Sequence, residues 1–247
     1  MNRLQRREQM RAVVARREHK TLDTASWVPL ALGFCILRFM RIIAGEHRGR
    51  RIAAPPGLDT RPMLDRVREA LFSTLGERIR GARVLDLFAG SGSLGLEALS
   101  RGAQSARMIE RDPRALAILR GNVETLGLAG RAQIVRGDAL RPDLWRSLLS
   151  AARAGDPDRE PGQGFDIVLL DPPYAMVEAP APRASLLERM ETLLEDHLRP
   201  GGVLVIHAPA RELEALRLRA GWRRDQRLYG GSGLLYLFAA AVRGAGS

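Results

Sequence analysis

The residues best suited to chemistry are Asp171-Pro172-Pro173-Tyr174, which follow the apolar run Phe165 to Leu170. Two consecutive prolines remove two backbone donors and restrict the chain, so carbonyl oxygens and the Asp171 carboxylate form a patch that only accepts hydrogen bonds. Such a patch binds an amino group. An exocyclic amine on a nucleobase is a poor nucleophile because its lone pair is delocalised into the ring. Two acceptors gripping its hydrogens favour the pyramidal, reactive form, and Tyr174 offers a flat face on which the base can stack.

A second set of residues lies upstream. Val84 to Gly95 holds Gly90, Gly92 and Gly95 at the spacing of a nucleotide-binding turn between a strand and a helix, with Phe88 in the turn. Glycine there lets a ligand approach the backbone and the free amides of the helix start. Glu110, twenty residues beyond Gly90, ends the next strand and could accept both hydroxyls of a ribose. The same glycines would serve a nicotinamide dehydrogenase, or a tight turn with no ligand. Asp86 separates the ligands, because a carboxylate four residues before Gly90 repels a pyrophosphate. It suits a ligand carrying an ammonium and a sulfonium, as S-adenosylmethionine does. Asp138, in Arg136-Gly137-Asp138-Ala139, either accepts from an adenine amino group or caps a helix starting at Leu140.

These residues need a scaffold that brings strand ends together. Strand-like runs Arg83 to Phe88, Ala106 to Glu110, Gln133 to Arg136, Phe165 to Leu170 and Val203 to His207 alternate with helix-period segments. The helices are expected at Ser93 to Ser100, Arg114 to Leu126, Leu140 to Ala152, Ala184 to Leu198 and Glu212 to Ala220. That alternation implies an α/β fold, a parallel sheet covered by helices. Trp222 to Tyr229 and Leu234 to Ala240, joined by Gly230 and Gly231, read as a hairpin, so the last strand must run antiparallel. Asp156 to Gly164 reads as a loop. Upstream, Met63 to Leu75 is a helix with Leu64, Val67, Leu71 and Leu75 on one face, and Arg41 to Ala54 is a small hairpin.

Composition narrows the class. The net charge is +11, all but Lys20 of the basic residues are arginine, and the excess is concentrated in the first 80 residues. Arg41, Arg48, Arg50 and Arg51 on the expected hairpin are candidate phosphate contacts, set against the plainer reading of a solvated face. Cys35 is the single cysteine, which excludes an internal disulfide and fits a reducing, cytoplasmic compartment. Val28 to Leu37 would span roughly 15 Å as a helix, about half a bilayer core, so no membrane partner is expected. His19, His47, His197 and His207 show no ligand spacing, so no metal is expected either. Trp145 and Trp222 read as packing residues.

The order of the glycine motif and Asp171 to Tyr174 resembles the Rossmann-like class I S-adenosylmethionine-dependent methyltransferases of the amino-group type. More narrowly the chain resembles the bacterial 16S ribosomal RNA guanine-N2 methyltransferases, small-subunit methyltransferase D type. The residues carrying that likeness are Met40-Arg41-Ile42-Ile43-Ala44-Gly45, Thr60-Arg61-Pro62, Asp65 to Phe72, Leu85 to Gly92, Asp171 to Tyr174 and Tyr229-Gly230. The resemblance implies a seven-stranded, mostly parallel sheet with an antiparallel last strand, preceded by a small hairpin and helix. It divides the chain into an extension over residues 1–39, a basic RNA-binding and cofactor-closing segment over 40–80, and the methyltransferase domain over 81–247. It implies that Asp86, Phe88, Gly90, Gly92, Glu110 and Asp138 hold the cofactor, with Arg68 in a segment that closes over its methionine end. Asp171, Pro172, Pro173 and Tyr174 would hold the guanine. The implied partner is 16S rRNA, as part of an assembling small subunit, met by a monomer without metal. Rival readings are a DNA adenine or cytosine amino-methyltransferase and a non-catalytic RNA-binding assembly protein.

Overall fold

A computed structural model describes residues 38–54, 63–141, 143–145, 164–218 and 222–239. The expected extension therefore lies outside the described residues except for Arg38 and Phe39. So do Thr60 to Pro62, most of the Asp156 to Gly164 loop and, of the helix expected from Leu140, all but Leu140, Arg141 and the turn Asp143 to Trp145; Leu140 and Arg141 are not helical, so that helix does not begin where expected.

Strands β1 (Arg38–Arg41) and β2 (Arg51–Ala54) pair antiparallel, with Arg41 opposite Arg51. The hairpin thus begins before Arg41, while Ile42 and Ile52 are both buried as their spacing requires. Helix α1 spans Asp65–Leu75 and buries Val67, Arg68, Leu71, Phe72 and Leu75. Leu64 departs from the expected stripe: it precedes the first helical turn and is 56% exposed.

The remaining elements are β3 (Arg83–Leu87), α2 (Ser93–Ser100), β4 (Ser105–Glu110), α3 (Pro113–Leu126), β5 (Ala132–Arg136) and β6 (Phe165–Leu170). They continue with α4 (Tyr174–Glu178), α5 (Pro180–Asp196), β7 (Leu198–Pro209), β8 (Arg223–Tyr229) and β9 (Ser232–Phe238). The seven-stranded sheet has the order β5-β4-β3-β6-β7-β9-β8, parallel except where β9 inserts antiparallel between β7 and β8. Every residue of β6 is buried, as a central strand covered on both faces demands. Helix α3 shows how local chemistry sets an element. Asp112 accepts from the amides of Arg114 and Ala115 at its start, Pro113 takes the first helical position, and Gly127 ends it at φ +69°.

Three elements differ from expectation by four residues or more at one end. Helix α5 starts at Pro180 rather than Ala184, because first-turn amides have no helical acceptor and proline costs nothing there. Strand β7 starts at Leu198 rather than Val203, pairing with Phe165 across a register shift. The helix expected over Glu212 to Ala220 is a 3-10 helix over Ala210–Ala215. There the Arg224 guanidinium donates to the carbonyls of Leu213 and Leu216 and closes the turn early.

The two faces of the sheet carry two cores. One joins Val84, Ile167 and Val203 to the hairpin and α1 through Ile42, Ile52, Val67 and Phe72. The other joins Leu85, Val168 and Leu204 to α5. Glu97 of α2 fastens the hairpin to the first face. Fully buried, it accepts from the amides of Ile43 at 2.7 Å and Ala44 at 3.0 Å and pairs with Arg101 at 2.7 Å. Replacing Glu97 with Ala strands two amides and a guanidinium. The expected loss is about 3 kcal/mol, roughly 6–12 °C in the melting midpoint for a domain of this size. Urea and thermal unfolding measure it, and a loss below ~1 kcal/mol would show that the hairpin is held by its apolar contacts alone.

Candidate active site

The carboxyl ends of β3, β4, β6 and β7 deliver the site. At the end of β3 the chain turns sharply. Phe88 is the one non-glycine residue with positive φ among the described residues, at +64°, followed by Gly90 at +55° and Gly92 at +84°. A side chain on Gly92 would put its Cβ 2.3 Å from the Leu119 side chain, and one on Gly95 would meet Met108 at 2.7 Å. Those two glycines serve close packing of the turn on α3 and β4. Gly90 is different, with nothing within 4 Å of where a Cβ would stand. It leaves the backbone open to a ligand.

Asp86 sits beneath this turn. Its Oδ2 accepts from the Gly95 amide at 2.9 Å, while Oδ1 is buried without a hydrogen-bond partner. Burial pushes its carboxyl up from 3.8 to about 8; the Gly95 amide opposes that rise, and the negative charges of Asp171 and Glu110 add to it. The structure thus gathers three carboxylates around one corner. A desolvated carboxyl with one unpartnered oxygen, on the strand that leads into the open turn at Gly90, is the observation that fits a cationic ligand such as S-adenosylmethionine.

Glu110 is already engaged. It accepts from the amides of Gly90, Arg111 and Asp112, each at 2.8 Å, tying the glycine turn to the start of α3. A carboxylate offers roughly four acceptor positions, so it has about one left, not a matched pair for two ribose hydroxyls. Asp138 is exposed and accepts from the Leu140 amide at 3.0 Å, the capping arrangement, beside the Gly137 amide that bonds the Glu110 carbonyl. Arg68 is fully buried and donates to the Arg41 carbonyl at 2.7 Å and Asp65 at 3.0 Å. Burial lowers its pKa, partly opposed by the charges of Asp65 and Glu97, and its Nε and Nη1 are buried without a hydrogen-bond partner.

After β6, Asp171 is half-buried and Tyr174 opens α4. The Pro173 carbonyl accepts from Met176, which leaves the Asp171 carboxylate and the Pro172 carbonyl as the acceptors for an amine. The Asp171 Oδ1 lies 2.8 Å from Nδ1 of His207, whose ring centroid is 6.1 Å from that of Tyr174. Sequence reading overlooked His207 because it sought histidines at metal-ligand spacing along the chain. The usable signal was register: Leu170 pairs with Ile206, so Asp171 and His207 are the next residues of neighbouring parallel strands. Asn122 was overlooked as well. Its side chain donates to the carbonyls of Ala53 and Ser91 and accepts from the Ala53 amide, linking the hairpin to the glycine turn. Of the four hairpin arginines, Arg41 pairs with Asp65 and Arg50 donates to the Thr125 carbonyl. Arg48 and Arg51 are exposed without an acidic partner among the described residues.

The family model described as Conserved hypothetical protein 95 matches residues 40–238. The chain belongs to this family. The Escherichia coli (strain K12) protein named Ribosomal RNA small subunit methyltransferase D is 42% identical over 158 residues, covering 64% of this chain and 68% of that one. The solved E. coli methyltransferase yhhF has a TM-score of 0.64 at 33% identity, over 82% of this chain and 99% of that one. A Thermus thermophilus 16S rRNA N2 G1207 methyltransferase, solved with AdoMet and guanosine, shares the fold with a TM-score of 0.59 at 21% identity, over 85% and 52%. The family fold is the Rossmann-like one of class I methyltransferases, with the antiparallel β9 in place.

The raised carboxyl of Asp86 has a measurable sign. In the unfolded chain it ionises near 3.8, whereas in the fold it keeps its proton to about 8. The native state then binds more protons between those values, so the stability of the protonated form is lost as pH rises through that window. Wild type compared with Asp86→Asn by urea unfolding at several pH values should show a stability difference that turns against wild type from acid to about pH 8. A flat difference would mean that Asp86 is ionised and solvated at neutral pH.

Proposed function

We propose that the protein transfers the methyl group of S-adenosylmethionine to the exocyclic N2 amine of a guanine in 16S rRNA, within the small ribosomal subunit. The observation that carries this reading is the juxtaposition of two unlike acceptor sites on neighbouring strands. Asp86 pairs with Leu169, two residues before Asp171. Strand rise and spacing put the two backbones about 8 Å apart, the room needed for a methyl group passing from a sulfonium at one to an amine at the other.

When bound, the cofactor supplies an activated methyl on a positively charged sulfur. Asp86 offers that charge a buried counter-charge, and Gly90 lets the nucleotide part lie against the turn. Asp138, whose second carboxylate oxygen makes no hydrogen bond among the described residues, stands at the neighbouring strand end for the adenine amino group. Asp171 and the Pro172 carbonyl accept the amine hydrogens, and Tyr174 supports the base. Held in this way, the amine nitrogen would be aimed at the activated methyl, and the proton it sheds on methylation would pass to water. Such a displacement is accelerated chiefly by holding the partners in line. It needs no metal, and all the named groups come from one chain, consistent with a monomer acting in the cytoplasm where ribosomes assemble.

Substrate capture draws on the hairpin. Arg48 and Arg51 are free to meet phosphates, and the exposed Arg41–Asp65 pair costs little to exchange. The naming of the E. coli relative as a small-subunit enzyme supports the RNA over DNA. Tritium transfer from labelled S-adenosylmethionine to small subunits from a strain lacking this gene, followed by nucleoside analysis, is the test. Wild type should yield N2-methylguanosine, and Asp171→Ala should be slower by about a hundredfold or more while still binding the cofactor. Methylated adenine, methylated cytosine or no labelled base would overturn the reading.

A further inference from the structure

Asp171 raises a problem that its own sequence creates. An aspartate at the end of a strand is ordinarily oriented by amides one to three residues further on. Here the next two residues are Pro172 and Pro173, which have no amide hydrogen. The motif that makes the patch acceptor-only therefore also deprives its carboxylate of local support. Among the described residues a single hydrogen bond reaches that carboxylate, from His207.

We propose that His207 is a positioning residue for the amine-binding carboxylate. Its ring Nδ1–H grips Asp171 Oδ1 and leaves Oδ2 as the acceptor for the substrate amine. The inference rests on the methyl-transfer reading above and extends it to a residue outside the Asp-Pro-Pro-Tyr motif. A carboxylate can only accept, so at 2.8 Å the hydrogen belongs to the histidine. The ring is well fixed for the task. It is 2% exposed, its backbone lies in β7 opposite Leu234 of β9, and the Tyr174 ring stands tilted at 57° beside it. Its Nε2 is buried with no partner, so the ring has no competing hydrogen bond to turn toward. The donated hydrogen also holds the Asp171 carboxylate, whose side chain is 26% exposed, against swinging toward solvent.

Two arms test the assignment on the full chain. In the first, His207→Ala, His207→Asn and His207→Gln are compared in methylation of small subunits. The Asn amide nitrogen falls near the place of the ring Nδ1, whereas the Gln amide reaches toward that of Nε2. His207→Ala should lower kcat roughly tenfold to a hundredfold with the KM for S-adenosylmethionine within about twofold, and Asn but not Gln should restore most of it. Melting midpoints control for folding: a purely structural role would make activity follow stability with no preference for Asn. In the second arm, long-range nitrogen–proton NMR reads the His207 tautomer without turnover. Wild type should carry the hydrogen on Nδ1, and Asp171→Ala should move it to Nε2. An Nε2-protonated ring in wild type, equal rescue by Asn and Gln, or a His207→Ala variant with wild-type kcat would each overturn the proposal. A wild type that methylates no guanine would instead sink the functional reading, and the NMR arm would still decide whether His207 holds Asp171.

Discussion

A carboxyl group buried away from water, with two further acids near it, is the constraint on which the rest of this structure depends. Asp86 is buried within reach of the fields of Asp171 and Glu110, and a desolvated carboxylate so placed strongly disfavours ionisation. The fold tolerates the arrangement by spending backbone amides on it. Gly95 bonds Asp86, and Gly90, Arg111 and Asp112 bond Glu110. The Gly90 amide comes from a turn in which Phe88, Gly90 and Gly92 all take positive φ, strain of the kind that gathers where ligands are gripped. A cation arriving at this corner would favour the ionised form of Asp86 that burial suppresses.

The hairpin and α1 belong to the same argument. They bury Ile42, Ile52, Val67 and Phe72 on the sheet face that carries Val84 and Ile167, and polar clamps fix their position. Glu97 holds the chain at Ile43 and Ala44, Ser100 bonds the Ala44 carbonyl and the His47 amide, and Asn122 spans from Ala53 to Ser91. Through Asn122 and through Met40, whose sulfur is 4.0 Å from Ser91 Oγ, the basic hairpin touches the glycine turn itself. Among the described residues, the hairpin that carries Arg48 and Arg51 is thus tied directly to the glycine turn.

Much of this was legible along the chain, and the reasons differ by element. Ser93–Ser100 and Phe165–Leu170 matched residue for residue because Gly92, Gly102, Gly164 and Asp171 punctuate them, and β9 ran antiparallel as a short glycine turn requires. Pro180 and Pro182 hid the start of α5, since proline reads as a breaker although the first turn accepts it. Candidate site residues could be read where a single segment carries them, as at Asp171 to Tyr174 and Gly90. They could not be read where partners meet across strands. Periodicity contains nothing that sets His207 on Asp171 or Gly90 on Glu110, because each pairing depends on which strands are neighbours and in what register. Arg68 is engaged only in part: one nitrogen bonds the Arg41 carbonyl and Asp65, while its Nε and Nη1 are buried without a hydrogen-bond partner.

The central claim is that the acidic corner exists to receive a sulfonium ligand. Calorimetric titration with S-adenosylmethionine at pH 7 in buffers of different ionisation enthalpy tests it most directly. Because Asp86 keeps its proton up to about 8 in the free protein, a cation bound beside it should drive that proton off. The account predicts saturable binding with net proton release, and no heat from a dinucleotide at the same concentration. Binding without proton release, or a preference for the dinucleotide, would contradict it.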